Sequence, residues 1–278
     1  MVALRSARCY TVRVMEDIAL QEQPSAEPAA DPEMTAMLAA GVHLGHSRRK
    51  HNPGMAPYVW GVRASVEIID LTKTKEKLAV ALAFLGQAAR EGKLLLFVGT
   101  RPSVRSILRQ AAEELGSPYV DQRWIGGTLT NFKVISKRIE TLETLEAERV
   151  SGGWEKYTKK EQLMREREIE RLRANFDGLR RMRKLPQVLV IVDIQHDDLA
   201  LREARRLGIP VVALTDTNSD PRLVDYPIPA NDDARSAVAY MLTRMTAAIR
   251  AGQAAAAAAA VPPPSGEESW PESPPTHD

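Results

Sequence analysis

Three histidines, His43, His46 and His51, fall in a segment that also carries Arg48, Arg49 and Lys50. Imidazoles at this spacing can share a face and ligate zinc, but no carboxylate or cysteine stands nearby in sequence to complete a set. Stacking on, or hydrogen bonding to, a neighbour is the preferred role, and no metal is expected. "FVGTRPS" places Thr100 and Arg101 at a strand end before a helix, where anions can bind free backbone N–H groups. It lacks the glycine spacing of a dinucleotide fingerprint and the Gly-Lys-Ser/Thr of a phosphate loop, so a plain helix cap is the simpler reading. "QRWIGGTLTNF" sets Arg123 and Trp124 before Gly126 and Gly127. The guanidinium suits phosphate; the indole could stack on a base or pack beneath the loop, and packing is favoured.

Catalytic ingredients are thin. There is no Gly-x-Ser-x-Gly elbow, and Cys9 is the single cysteine. Asp193, Asp216 and Asp220 fall at or just after strand ends, the edge where α/β active sites gather, yet Asp216 to Asp220 reads more simply as a turn. Neither an enzyme nor a cofactor is expected.

Composition narrows the partners. The chain of 278 residues has 38 basic and 36 acidic side chains, a net charge of +2 that decides nothing by itself. Met34 to Val66 contains no acid, and Glu155 to Lys184 holds 11 Lys or Arg against 6 Asp or Glu. Screening confines each phosphate contact to about 8–10 Å, so these local surpluses matter more than the total. The lone cysteine points to a reducing compartment, and no apolar run reaches the roughly 20 residues of a membrane span. Arg5, Arg8 and Arg13 near the front resemble a transit peptide only weakly, since Glu16 and Asp17 follow. Bacterial cytoplasm is expected over an organellar matrix.

These groups need elements to hold them. Residues 1–30 and 253–278, rich in Ala, Pro, Ser and acid, are expected to be disordered extensions around a folded part at 31–252. Asp31-Pro32 opens a short helix closed by Gly41. "YVWGVRASVEIIDL" alternates like a β-hairpin. Then come a helix at about 73–90, the buried strand "KLLLFVGT", a helix at about 102–115, the strand "QVLVIVD", a helix at about 198–207, the strand "PVVALTD", the short strand "DYPIP" and a final helix capped by Asn231 or Asp232. Alanines 254–260 can extend that helix until Pro262 stops it. The order predicts a doubly wound, mainly parallel α/β sheet of the flavodoxin-like or Rossmann-like three-layer kind.

Residues 131–184 break the rhythm. Ile135, Ile139, Leu142 and Leu145 form one narrow stripe, and Ile169, Leu172, Phe176 and Leu179 another, separated by "SGG". Thr158 and Glu161 make a capping box. The pattern predicts an inserted antiparallel coiled-coil hairpin whose second helix, of about 25 residues, is roughly 37 Å long and protrudes from the domain.

"AGVHLGHSRRKHNPGMAPYVWGVR", "IIDLTKT", "LLFVGT", "QRWIGGTLTNF", "YTKKEQLMREREIERL", "GIPVVALTDTNSDP" and "IPANDDA" together resemble the S-two family of small-subunit ribosomal proteins, in its bacterial and organellar branch, over about 34–252. The resemblance implies a structural protein at the head–body junction of the small subunit. It also implies contact with small-subunit rRNA and neighbouring proteins, a part in assembly, docking of the S-one protein, and no homo-oligomer. The motif residues carried over are His46, Arg123, Trp124, Gly126, Gly127 and Asn131. Gln122 stands where the family has histidine, and Pro102 interrupts a segment that is usually basic. The candidate RNA-binding set is therefore His46, Arg48, Arg49, Lys50, Arg63, Arg101, Arg123, Trp124, Asn131, Lys133, Lys137, Lys159 and Lys160. The alternative is an α/β enzyme or phosphate-ligand domain with a helical interaction arm.

Overall fold

The computed structural model describes residues 31–260. Cys9, the arginine-bearing leader and the proline-rich end lie outside them, and so does the disorder expected for 1–30 and for 261–278; of the extension expected to be disordered from 253 onward, residues 253–260 are instead helical and continue the last helix, whose alanines favour it. Asp31 caps helix α1 (Pro32–Ala40) by accepting from the Glu33 N–H at 3.0 Å, and Gly41, at φ 77°, closes it in the left-handed region. Strands β1 (Leu44–Ser47), β2 (Val59–Arg63) and β3 (Val66–Ile69) make a small antiparallel sheet in the order β1-β3-β2. The expected hairpin is β2–β3. Its turn residues Ala64 and Ser65 sit at φ 49° and 68°, the twist that a tight two-residue connection demands. β1 has no clear alternating signature and does not stand out in the sequence.

Helix α2 (Leu71–Arg90) begins two residues before the expected start, because Asp70 accepts from the Thr72 N–H and caps it. There follow β4 (Leu95–Val98), α3 (Arg105–Glu114), β5 (Tyr119–Val120), α4 (Phe132–Val150), α5 (Lys159–Phe176), β6 (Val188–Ile191), α6 (Asp198–Leu207), β7 (Val211–Thr215), β8 (Tyr226–Pro229) and α7 (Arg235–Ala260). α3 starts at Arg105, later than expected; Pro102 lies in the preceding turn. Asn231 wins the cap before α7 by accepting from the Asp233 and Ala234 N–H groups, which leaves Asp232 free for another role.

The large sheet is parallel throughout, ordered β5-β4-β6-β7-β8. That is the doubly wound order with its reversal beside β4. Side chains alternate across it as the strand period requires. Leu95 and Phe97 join Val188, Val190, Val212 and Leu214 in one core under α2, α3 and α7, while Leu96 and Val98 join Leu189, Ile191, Val211 and Ala213 in another with α4, α5 and α6. Three layers result. Each fully buried Leu, Val or Phe contributes about 1.5–3 kcal/mol by leaving water, so strands buried on both faces read as unbroken apolar runs.

Between β5 and β6 the chain forms the two helices anticipated from the stripes. Ile135, Ile139 and Leu142 of α4 and Ile169, Leu172 and Phe176 of α5 are buried, and the capping box of Thr158 with Glu161 is present. α5 has 18 residues rather than 25, and its estimated length falls to about 27 Å. Leu179 sits on the 3₁₀ turn that follows, at Asp177–Leu179. The tight geometry there leaves no room for a side chain at Gly178, where a Cβ would stand 2.3 Å from the Tyr119 carbonyl oxygen.

Candidate functional site

At the carboxyl edge of the parallel strands the chain gathers carboxylates. Asp193 follows β6, Asp216 follows β7, and Asp232 follows β8, all nearly fully buried. His46 reaches them from β1: its Nδ1 lies 3.0 Å from Asp216 Oδ2 and its Nε2 lies 3.1 Å from Asp233 Oδ2. Arg101 is engaged by Asp193 at 2.6 Å, by Asp232 at 3.5 Å, and by Asp233. The hydrogen bond to Asp216 holds the His46 pKa above its ordinary value. Burial pushes the Asp232 carboxyl well above the usual carboxylate range, with Asp193 and Asp216 adding repulsion.

This changes two readings of the sequence. The carboxylates absent from the neighbourhood of His46 in sequence arrive from strands 170 or more residues away, and one donor atom each from His46, Asp216 and Asp232 lies within 4.8 Å of the others. Such a trio could hold a cation, although the Arg101 guanidinium already brings positive charge into the same cluster. Arg101 itself is no free phosphate ligand, because three carboxylates surround it. The turn after β4 is filled in the same way: Asp197 accepts from the Thr100 N–H at 3.1 Å and from its hydroxyl at 2.8 Å. An anion seeking that N–H meets a carboxylate instead. His51, for its part, pairs with buried Glu67 at 2.9 Å.

The free cations lie elsewhere. Arg48, Arg49 and Lys50 form an exposed 3₁₀ turn after β1, and Arg63 ends β2; none has an ion-pair partner among the described residues. On β2 beside Arg63, Trp60 is 77% exposed. Sequence reasoning passed over this indole, though strand alternation, with Trp60 and Val62 on one face, was the signal for it.

Arg123 and Trp124 part company. Arg123 is exposed, whereas Trp124 is 7% exposed and packs in the core beneath the loop, so it offers no base a platform. Its role is structural. Glu203 of α6 accepts from Trp124 Nε1 at 3.2 Å and from the Gly127 N–H at 2.7 Å with one oxygen, and from the Leu129 N–H and Thr130 N–H at 3.0 Å with the other. Burial raises the Glu203 pKa, but those backbone donors outweigh it and the net shift is downward. Of the two glycines only Gly127, at φ 92°, needs the left-handed region. Glu203 gave no signal in the sequence: it reads as one more surface charge on α6.

Along the helix pair the cation surplus is partly spent. Arg180 and Arg173 grip Glu146 at 2.6 and 2.5 Å, Arg165 meets Glu148 at 3.2 Å, and Arg183 meets Glu143 at 3.3 Å. The acids come from α4, outside the window in which the surplus was counted. Asn131, Lys133 and Lys137 at the start of α4 and Lys159 and Lys160 at the start of α5 remain exposed, and the four lysines have no ion pair among the described residues.

The class of protein these features define is a three-layer α/β protein with a parallel sheet whose carboxyl edge is filled by its own ion pairs and with unpaired cations exposed on its flanks. Residues 37–252 match the family model described as Ribosomal protein S2. The chain is 47% identical over 217 residues to the small ribosomal subunit protein uS2 of Coprothermobacter proteolyticus, covering 78% of this chain and 81% of the relative. It is 48% identical over 208 residues to the proteins of the same name from two strains of Thermus thermophilus, covering 75% of this chain and 81% of each relative. The chain belongs to the ribosomal protein S2 family, a family of structural proteins of the ribosome.

Proposed function

We propose that this protein is a structural constituent of the small ribosomal subunit that binds small-subunit rRNA. Arg48, Arg49, Lys50 and Arg63 on the antiparallel sheet, Arg123 on the loop clasped by Glu203, and Lys133, Lys137, Lys159 and Lys160 at the helix starts neutralise phosphates. Asn131 stands with them as a hydrogen-bonding group, and His46 fixes the β1 segment that carries the basic turn. The observation that carries this reading is that these lysines and arginines are exposed and unpaired while the cations at the strand edge are not. α4 and α5 act as a coiled-coil arm of one ribosomal domain spanning 31–252. Placement at the head–body junction, a part in assembly, contact with neighbouring proteins and docking of the S-one protein are proposed from the family motifs.

The test is sedimentation of the tagged full chain in a cell lysate, which should place it in small-subunit fractions; a peak only at free protein sinks the reading. Binding to rRNA should weaken steeply with salt. Arg48→Ala or Lys50→Ala should flatten the log–log slope by about one unit per lost phosphate contact, and Arg101→Ala should leave it unchanged. The enzyme or phosphate-ligand alternative loses ground because Asp197 and the acidic cluster occupy the edge where a small anion would bind.

A further inference from the structure

The basic turn at Arg48–Lys50 is fastened at both ends to one residue of the parallel sheet. Thr217 stands two residues after β7 and is fully buried. Its hydroxyl accepts from the His46 N–H at 3.0 Å, and its carbonyl accepts from the Asn52 N–H at 2.8 Å. The chain therefore leaves Thr217 at His46, carries three exposed cations past solvent, and returns to the same residue at Asn52. The threonine methyl makes a third contact, because a Cβ added at Gly45 would stand 2.5 Å from it. Glycine is needed there for the close approach of the backbone.

Thr217 is itself held from behind. Gln195, in the turn after β6, donates through Nε2 to the Asn218 carbonyl at 2.9 Å and accepts from Asn218 Nδ2 at 3.1 Å. The loop is thus tied to the ends of two neighbouring strands. On its other side the turn is joined to the small sheet, where the Arg48 N–H donates to the Ser65 carbonyl at 3.1 Å and His51 pairs with Glu67. Asn231 and Asp216 grip the front of the segment, at Val42 and His46. Thr217 grips front and back. Charge-assisted hydrogen bonds to phosphate form at about 2.7–2.9 Å, so a small tilt of the turn loses contacts while leaving every charge in place. We propose that Thr217 is the positioning residue of the basic turn, setting Arg48, Arg49 and Lys50 in register with the other RNA-facing cations without touching RNA itself, an assignment that rests on the rRNA-binding reading.

The experiment measures the salt dependence of small-subunit rRNA binding by the full chain. Thr217→Val nearly keeps the side-chain shape and removes no charge, yet it should flatten the log–log slope by about one unit or more. Thr217→Ser keeps the hydroxyl and should restore the wild-type slope. Gly45→Ala should flatten the slope too, and adding Thr217→Ser should recover part of that loss by removing the methyl that the new Cβ meets. The effect of Thr217→Val should not add to that of Arg48→Ala with Lys50→Ala, but should add to that of Lys159→Ala with Lys160→Ala, a pattern that general destabilisation does not produce. Hydrogen exchange on the wild-type chain needs no variant: the His46 and Asn52 amides should exchange at least about tenfold more slowly than in the unfolded chain. A wild-type slope in Thr217→Val, full additivity with the turn variants, or free exchange at either amide overturns the proposal. If Arg48→Ala flattens the slope and Thr217→Val does not, the positioning role alone fails. If wild-type binding shows no salt dependence, the rRNA reading fails, and hydrogen exchange still decides whether Thr217 holds the turn.

Discussion

Glu203 decides how the loop that presents Arg123 is held, since one carboxylate satisfies Trp124 Nε1 and three backbone N–H groups. Glu203→Ala strands those donors in a buried place and should cost about 3 kcal/mol or more, with a red shift in Trp124 fluorescence. Glu203→Gln should be nearly as damaging, because its NH₂ faces donors. His46 carries a different signature. Its pKa is raised above 6.5 by the hydrogen bond to Asp216, so its contribution to stability is complete below pH 6.5 and is lost as pH rises through the raised value. Denaturation midpoints should therefore fall as pH rises above 6.5, and His46→Asn should flatten that fall. A midpoint independent of pH in the wild-type chain would contradict the His46–Asp216 geometry. Both roles were hidden in sequence, where Glu203 and Asp216 are ordinary acids far from the residues they hold.

At the scale of elements, the helix pair rests on a thin buried seam reinforced by ion pairs. Leu142→Ala removes a fully buried side chain from it and should cost about 2–5 kcal/mol, seen as early loss of helical signal. Glu146 is drawn down to about 2, first by its hydrogen bond to Arg180. Its contribution is present above its ordinary 4.5 and is lost as pH falls through that lowered value, so acid should loosen the pair while Glu146→Gln removes this sensitivity. The β2–β3 turn holds two non-glycine residues at positive φ. Replacing Ala64-Ser65 with Asn-Gly should relieve that strain and raise stability by about 1 kcal/mol without changing RNA affinity, which thermal melts and binding assays can check together. The existence of these helices was legible because apolar stripes and the Thr158–Glu161 box are local signals. Their ends were not: α5 stops early where Gly178 must pass under Tyr119, a contact between segments far apart in sequence.

For the molecule as a whole, the amino-acid order alone determined the layered α/β class, the interrupting helical segment, the basic turn at 48–50 and, through its motifs, the family. Each is written in local periodicity or in contiguous residues, and burial on both faces of a parallel sheet leaves an apolar run that no partner choice can disguise. Tertiary structure alone decided which charges are free. Arg101 and Arg48 look alike in sequence, yet one is locked among Asp193, Asp232 and Asp233 and the other faces solvent. It also buried Trp124, exposed Trp60 and brought acids from the ends of two strands, β7 and β8, to His46. The reason is physical: charge pairing and burial depend on distances of a few ångströms between segments that the chain separates by more than a hundred residues, and only folding sets those distances.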